Sequence, residues 1–97
     1  MTKSIIQDNK FCFECGTGYG LHRHHIFYGK NRKLSEEDGL VVYLCYEHHE
    51  GNNGVHGHNT KLNEKLKEIG QRAYMIKYNK TKEDFIKRYG KNYLTDE

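Results

Sequence analysis

Apolar residues fall into short, separated groups along the first half of the chain and into a helical stripe along the second. Leu21 to Tyr28 combines Leu, Ile, Phe and Tyr, and its β-branched and aromatic content predicts a strand. Gly39 to Leu44 (GLVVYL) predicts a second strand, the clearest in the chain. Gly29–Gly39 between them is charged and reads as a loop, so an antiparallel hairpin is expected. Ahead of the hairpin, Phe11–Gly20 (FCFECGTGYG) has the aromatic, Cys and Gly content of a knuckle, a tight turn whose amides can face thiolate sulfur. After it, Cys45–Glu50 reads as a helical turn interrupted by Gly51, Asn52, Asn53 and Gly54.

Beyond residue 58 the period changes. Leu62, Leu66, Ile69, Ala73 and Ile76 recur at steps of four and three, which predicts one helix over about Asn59–Tyr78 with these side chains on its buried stripe. Asn59 or Thr60 can cap it, and Gly70 should weaken it modestly. Thr81 and Asp84 form a capping-box pair for a last helix that Phe85, Ile86 and Tyr89 would dock and Gly90 would end. Tyr74, Tyr78, Tyr89 and Tyr93 read as core packing.

Composition adds a constraint. The 97 residues fit one domain (1–97, with 11–58 and 59–97 as its two parts), but only 35% are hydrophobic and 30% are charged. An apolar core of that size is marginal, so a metal staple would supply a needed share of the stability. The net charge of +3 is uneven: residues 1–58 balance to −1 and residues 59–97 to +4. That permits a polyanionic partner without demanding one. The opening MTKSIIQDNK has no apolar leader, and no run approaches membrane-spanning length. The expectation is a soluble cytoplasmic protein with no membrane partner and with reduced thiols.

The chemistry is concentrated. All three cysteines and all seven histidines lie between Cys12 and His58. Cys12-x-x-Cys15 and Cys45-x-x-His48 are two ligand pairs at the spacing that lets one turn deliver two donors to a tetrahedral zinc. Buried, metal-free cysteines are the alternative, and the second pair weighs against it. His24, His25, His49, His56 and His58 remain over, more imidazole than a structural site needs. Lys30, Arg32 and Lys33 form a basic cluster placed to touch a nucleic-acid backbone.

The order Cys12/Cys15, His24-His25, Leu44-Cys45-x-x-His48-His49 resembles the HNH endonuclease family, and small phage-type members most closely. In that family a Cys-x-x-Cys precedes an Asp-His or His-His pair, and the second strand runs into Leu-Cys-x-x-Cys-His. The resemblance covers about residues 11–58. It implies an α+β fold: a zinc-stapled ββα-metal (HNH, His-Me finger) core, here followed by two additional helices. It implies that His24 and His49 bind a catalytic divalent metal (Mg2+, Mn2+ or Zn2+) and that His25 is the general base. The third ligand would fall one turn after His49, at Asn53. The surrounding glycines break the helix there, so His56 is preferred, with His58 as a weaker rival. Arg23 would clamp the scissile phosphate, or lie on the surface; His22 would be a surface residue or hydrogen-bond a ligand. The family's central Asn, which pins the loop between the strands, falls on Leu40. Asn31, Asp38 or Gly39 would have to do its work.

The resemblance thus implies DNA phosphodiester hydrolysis leaving a 5′ phosphate and a 3′ hydroxyl, in the host cytoplasm for a phage-encoded chain. Two other readings use the same residues: a nucleic-acid-binding zinc module with a degenerate site, and a zinc-stabilised interaction module among other phage proteins of a recombination or packaging complex.

Overall fold

The computed structural model describes residues 2–94. The chain is α+β, with a two-stranded antiparallel sheet and four α-helices among the described residues. Strand β1 spans Leu21–His25 and β2 spans Val41–Cys45, with Leu21 opposite Cys45 and His25 opposite Val41. Helix α1 (Arg32–Asp38) lies between them, α2 (Tyr46–His49) follows β2 directly, and α3 (Thr60–Tyr78) and α4 (Lys82–Tyr89) complete the fold. No helix among the described residues is long and apolar enough to cross a membrane.

The strands pair as the sequence predicts, although β1 stops at His25, three residues short of the expected end. The stretch read as a charged loop is instead a helix, and tertiary contacts explain it. Ser35, fully buried, donates its hydroxyl to the Leu40 carbonyl at 2.6 Å and accepts the Phe27 amide at 3.2 Å. Gly39 closes α1 in the left-handed region (φ 75°), where a Cβ would stand 2.5 Å from the Lys3 carbonyl oxygen. Arg88 of α4 grips Asp38 at 2.7 and 3.0 Å, offsetting the acidic C-terminal end of α1. The Tyr89 hydroxyl donates to the same carboxylate at 2.6 Å. Buried beside it, the Tyr89 phenol is pushed well above its ordinary range, first by desolvation and then by the Asp38 hydrogen bond and charge.

Helix α3 forms over the expected residues, with Asn59 accepting the Leu62 amide at 3.0 Å. Its buried face differs from the expected stripe. Leu62, Leu66, Gly70, Gln71 and Tyr74 face the core, Ile69 and Ala73 are half-buried, and Ile76 is 82% exposed. Gly70 is the reason. A Cβ there would lie 3.0 Å from Ile26 Cγ2 and 3.1 Å from Phe27 Cε2, so the helix rests its bare backbone on the end of the hairpin. Gln71 is buried because it bonds the Asn92 side chain (2.8 Å) and the Tyr93 amide (2.7 Å).

Thr81 and Asp84 form the predicted capping box on α4. Phe85 and Tyr89 dock it, stacked at 4.6 Å and packed with Phe27 and Tyr74. Ile86 and Tyr78 instead remain 37% exposed; Ile86 lies outside the contact face, and Tyr78 extends its hydroxyl to the Asp38 carbonyl.

Candidate metal centres

The knuckle and the end of the hairpin meet. Cys12, Cys15, Cys45 and His48 bring one donor atom each within 4.8 Å of one another. Cys15 and Cys45 sulfurs are 3.8 Å apart, and His48 Nδ1 lies 3.3 Å from Cys45 and 3.8 Å from Cys12. A tetrahedral zinc with ordinary bond lengths separates its ligand atoms by about 3.5–3.8 Å, so the four residues fit the ion. The turn is shaped for thiolate. Burial opposes ionisation of Cys12, but amide hydrogen bonds from Cys45, Cys15 and Glu14 outweigh it and bring the thiol down to about 6. At Cys15 the Thr17 amide favours the thiolate, but desolvation and the neighbouring sulfurs push its pKa up. Three thiols this close cannot all ionise without a cation between them.

The second grouping is His24, His49 and His56, again with donors within 4.8 Å. Strand alternation carries His22 and His24 to one face of β1, toward α2. His49 follows His48 on α2, so one helical turn feeds both groupings. His56 arrives by a fold-back: the Val55 and His56 amides donate to the His48 and His49 carbonyls at 3.0 and 2.9 Å, capping the four-residue helix. Only glycine permits this return. A Cβ on Gly57 would lie 2.1 Å from the Gly51 carbonyl oxygen, and one on Gly54 2.6 Å from the His49 carbonyl carbon.

The three rings stand edge to face, with centroids 4.8–5.4 Å apart. His24 is 2% exposed, and its Nε2 has no hydrogen-bond partner among the described residues. An orphaned buried nitrogen costs about 1–3 kcal/mol, a cost that a bound cation removes. Burial, then the positive potential of His49 and His56, holds the His24 pKa down to about 3, so its lone pair is free at neutral pH. His49 is lowered by the same causes, burial first and then His56 and His22. The donor set therefore fits a divalent cation.

Of the rival third ligands, His56 is the one brought to His24 and His49. Asn53 donates its side-chain amide to Glu47 at 2.7 Å, and His58 is exposed outside the grouping. His22 is half-buried, with its Nδ1 2.8 Å from His49 Nδ1 and Glu50 beside them. With both rings neutral, one proton lies between those nitrogens, so the two rings take opposite tautomers.

Arg23, His24, His25, Tyr28, Arg32, His49 and His56 line an open cleft of about 210 Å³. Arg32 opens α1 on its rim, whereas Lys30 and Lys33 are exposed beside it. Arg23 already bonds Glu36 and the Thr2 carbonyl. Sequence reasoning missed Ser35, Glu36, Tyr28 and Lys67. The Lys67 ammonium sits 4.6 Å from the centre of the Tyr28 ring, which in turn meets His56 edge to face. None of the four belongs to a spaced ligand pair; only their contacts reveal them. Set against protein-family models, curated proteins and solved structures, the chain matches none of them significantly.

Proposed function

We propose that the protein is a metal-dependent endonuclease that hydrolyses DNA phosphodiester bonds in the cytoplasm, leaving a 5′ phosphate and a 3′ hydroxyl. In this reading the Cys12, Cys15, Cys45, His48 cluster is a structural zinc staple, and residues 11–58 form an HNH-like ββα-metal core. The observation that carries it is the buried Nε2 of His24, without a partner among the described residues and grouped with His49 and His56 at the wall of an open cleft that His25 and Arg32 also line. Imidazole without carboxylate suits a transition metal better than Mg2+.

His24, His49 and His56 would hold the catalytic cation. When bound, it supplies Lewis-acid stabilisation of charge on the phosphate and the departing oxygen. His25 takes a proton from the attacking water. Arg32 offers its guanidinium to the phosphate, and Lys30 and Lys33 neutralise the flanking backbone. Leu40, buried where the family places its Asn, does not argue against activity, because Ser35 ties both sides of the connection through Phe27 and Leu40.

The test is nicking of supercoiled plasmid by the zinc-containing protein after removal of the weaker cation. Mn2+ should restore cleavage better than Mg2+, His56→Ala should abolish it with the structural zinc retained, and Asn53→Ala should be mild. Salt-sensitive DNA binding with no cleavage under any cation would establish the binding-module reading instead.

A further inference from the structure

We infer that Glu36, on the helix between the strands, is the positioning residue that fixes the ring orientation and tautomer of His25. This rests on the nuclease reading for its catalytic meaning, and on geometry for the rest. His25 is the last residue of β1, 8% exposed, and reaches the cleft from the opposite side of the strand to His24. Its Nε2 lies 2.8 Å from Glu36 Oε1. Glu36 itself is held from three sides. Its Oε2 accepts the Thr2 amide at 2.9 Å, and its Oε1 takes the Arg23 guanidinium as well as the His25 ring. Arg23 is anchored in turn on the Thr2 carbonyl. The Thr2 amide first, then Arg23 and His25, bring the Glu36 carboxyl down to about 2, so it is an anion at any working pH.

An ionised carboxylate accepts and never donates, so the hydrogen bond requires the proton of the neutral ring to sit on Nε2. The lone pair is then on Nδ1, the nitrogen not engaged by Glu36. A ring with one nitrogen tied to a fixed carboxylate cannot flip, and its orientation is set before substrate arrives. Arg23 accordingly works through Glu36, by holding the carboxylate still, and not by gripping phosphate. The chain of contacts runs from Thr2 through Arg23 and Glu36 to His25, all outside the cation's ligands.

The experiment is nitrogen-15 NMR of histidine-labelled protein carrying both metals, with His25 assigned, alongside plasmid cleavage. Wild-type His25 should show a single Nε2-protonated tautomer. Glu36→Ala should give a mixture and lower kcat with little change in KM, by a factor bounded by the ~100- to 10,000-fold that a positioned base contributes. Glu36→Gln, whose amide oxygen still accepts from Nε2, should keep the tautomer and lose less. A wild-type His25 protonated on Nδ1 overturns the inference without any variant. So does a folded Glu36→Ala protein with an unchanged His25 signal. Absence of cleavage in wild type would sink the nuclease reading alone, because the tautomer is read independently of activity.

Discussion

Cys45→Ser should give a chain that no longer unfolds cooperatively and that holds well below one zinc per molecule. Cys45 is 8% exposed, with its sulfur 3.3 Å from His48 Nδ1 and 3.8 Å from Cys15. A serine hydroxyl stays protonated and is a poor zinc ligand, so three donors would remain where four fit the ion. A structural zinc contributes about 10–16 kcal/mol of apparent binding energy in small domains. A whole domain is stable by only about 5–15 kcal/mol. Losing the ion frees the knuckle from the hairpin end and leaves a core that is short of apolar residues. Zinc content and a thermal melt check this together. A Cys45→Ser protein with the wild-type melting temperature and a full zinc would overturn the staple.

The second large effect divides two adjacent histidines. On the nuclease reading proposed above, His25→Ala should lower cleavage by ~100- to 10,000-fold, the usual worth of a positioned general base, with both metals and DNA affinity kept. His24→Ala should instead weaken the catalytic cation, and cleavage should return in part as its concentration rises. His24→Ala leaves a cavity at a buried position but also removes a nitrogen with no hydrogen-bond partner among the described residues, so the fold should survive with a lowered melting temperature. Metal content, DNA binding and nicking rate, measured on both variants, give the check. If His25→Ala cleaves at the wild-type rate, the base lies elsewhere.

The Cys3His cluster was legible because candidate metal ligands declare themselves by residue type and spacing. Cys12, Cys15, Cys45 and His48 come together as the spacing predicted; His24 and His49 also come together, a pairing that only the family resemblance implied. The choice of His56 over Asn53 was also within reach, because Gly51 and Gly54 mark where α2 must stop. What escaped depended on partners distant in sequence. Helix α1 has a single apolar residue, Leu34, and is held by Ser35, Gly39 and a salt bridge from Arg88 some fifty residues away. The face of α3 was misjudged because its contact surface includes a glycine, which no count of apolar side chains registers. Glu36 sits in an acidic run that looks like solvated surface until Arg23, His25 and Thr2 are seen around it.

His48 and His49 are consecutive residues on a helix of four, one turned to each ligand cluster. An ion at the first cluster would hold that turn and so reduce the freedom His49 has to lose on binding a second ion. Linkage makes the effect mutual: whatever factor the first ion adds to the affinity of the second, the second adds to the first. If both clusters hold ions, the two should therefore load cooperatively. A chelator strong enough to take only the weaker one would then loosen the other, and partly loaded states should be rarer than two independent affinities would give.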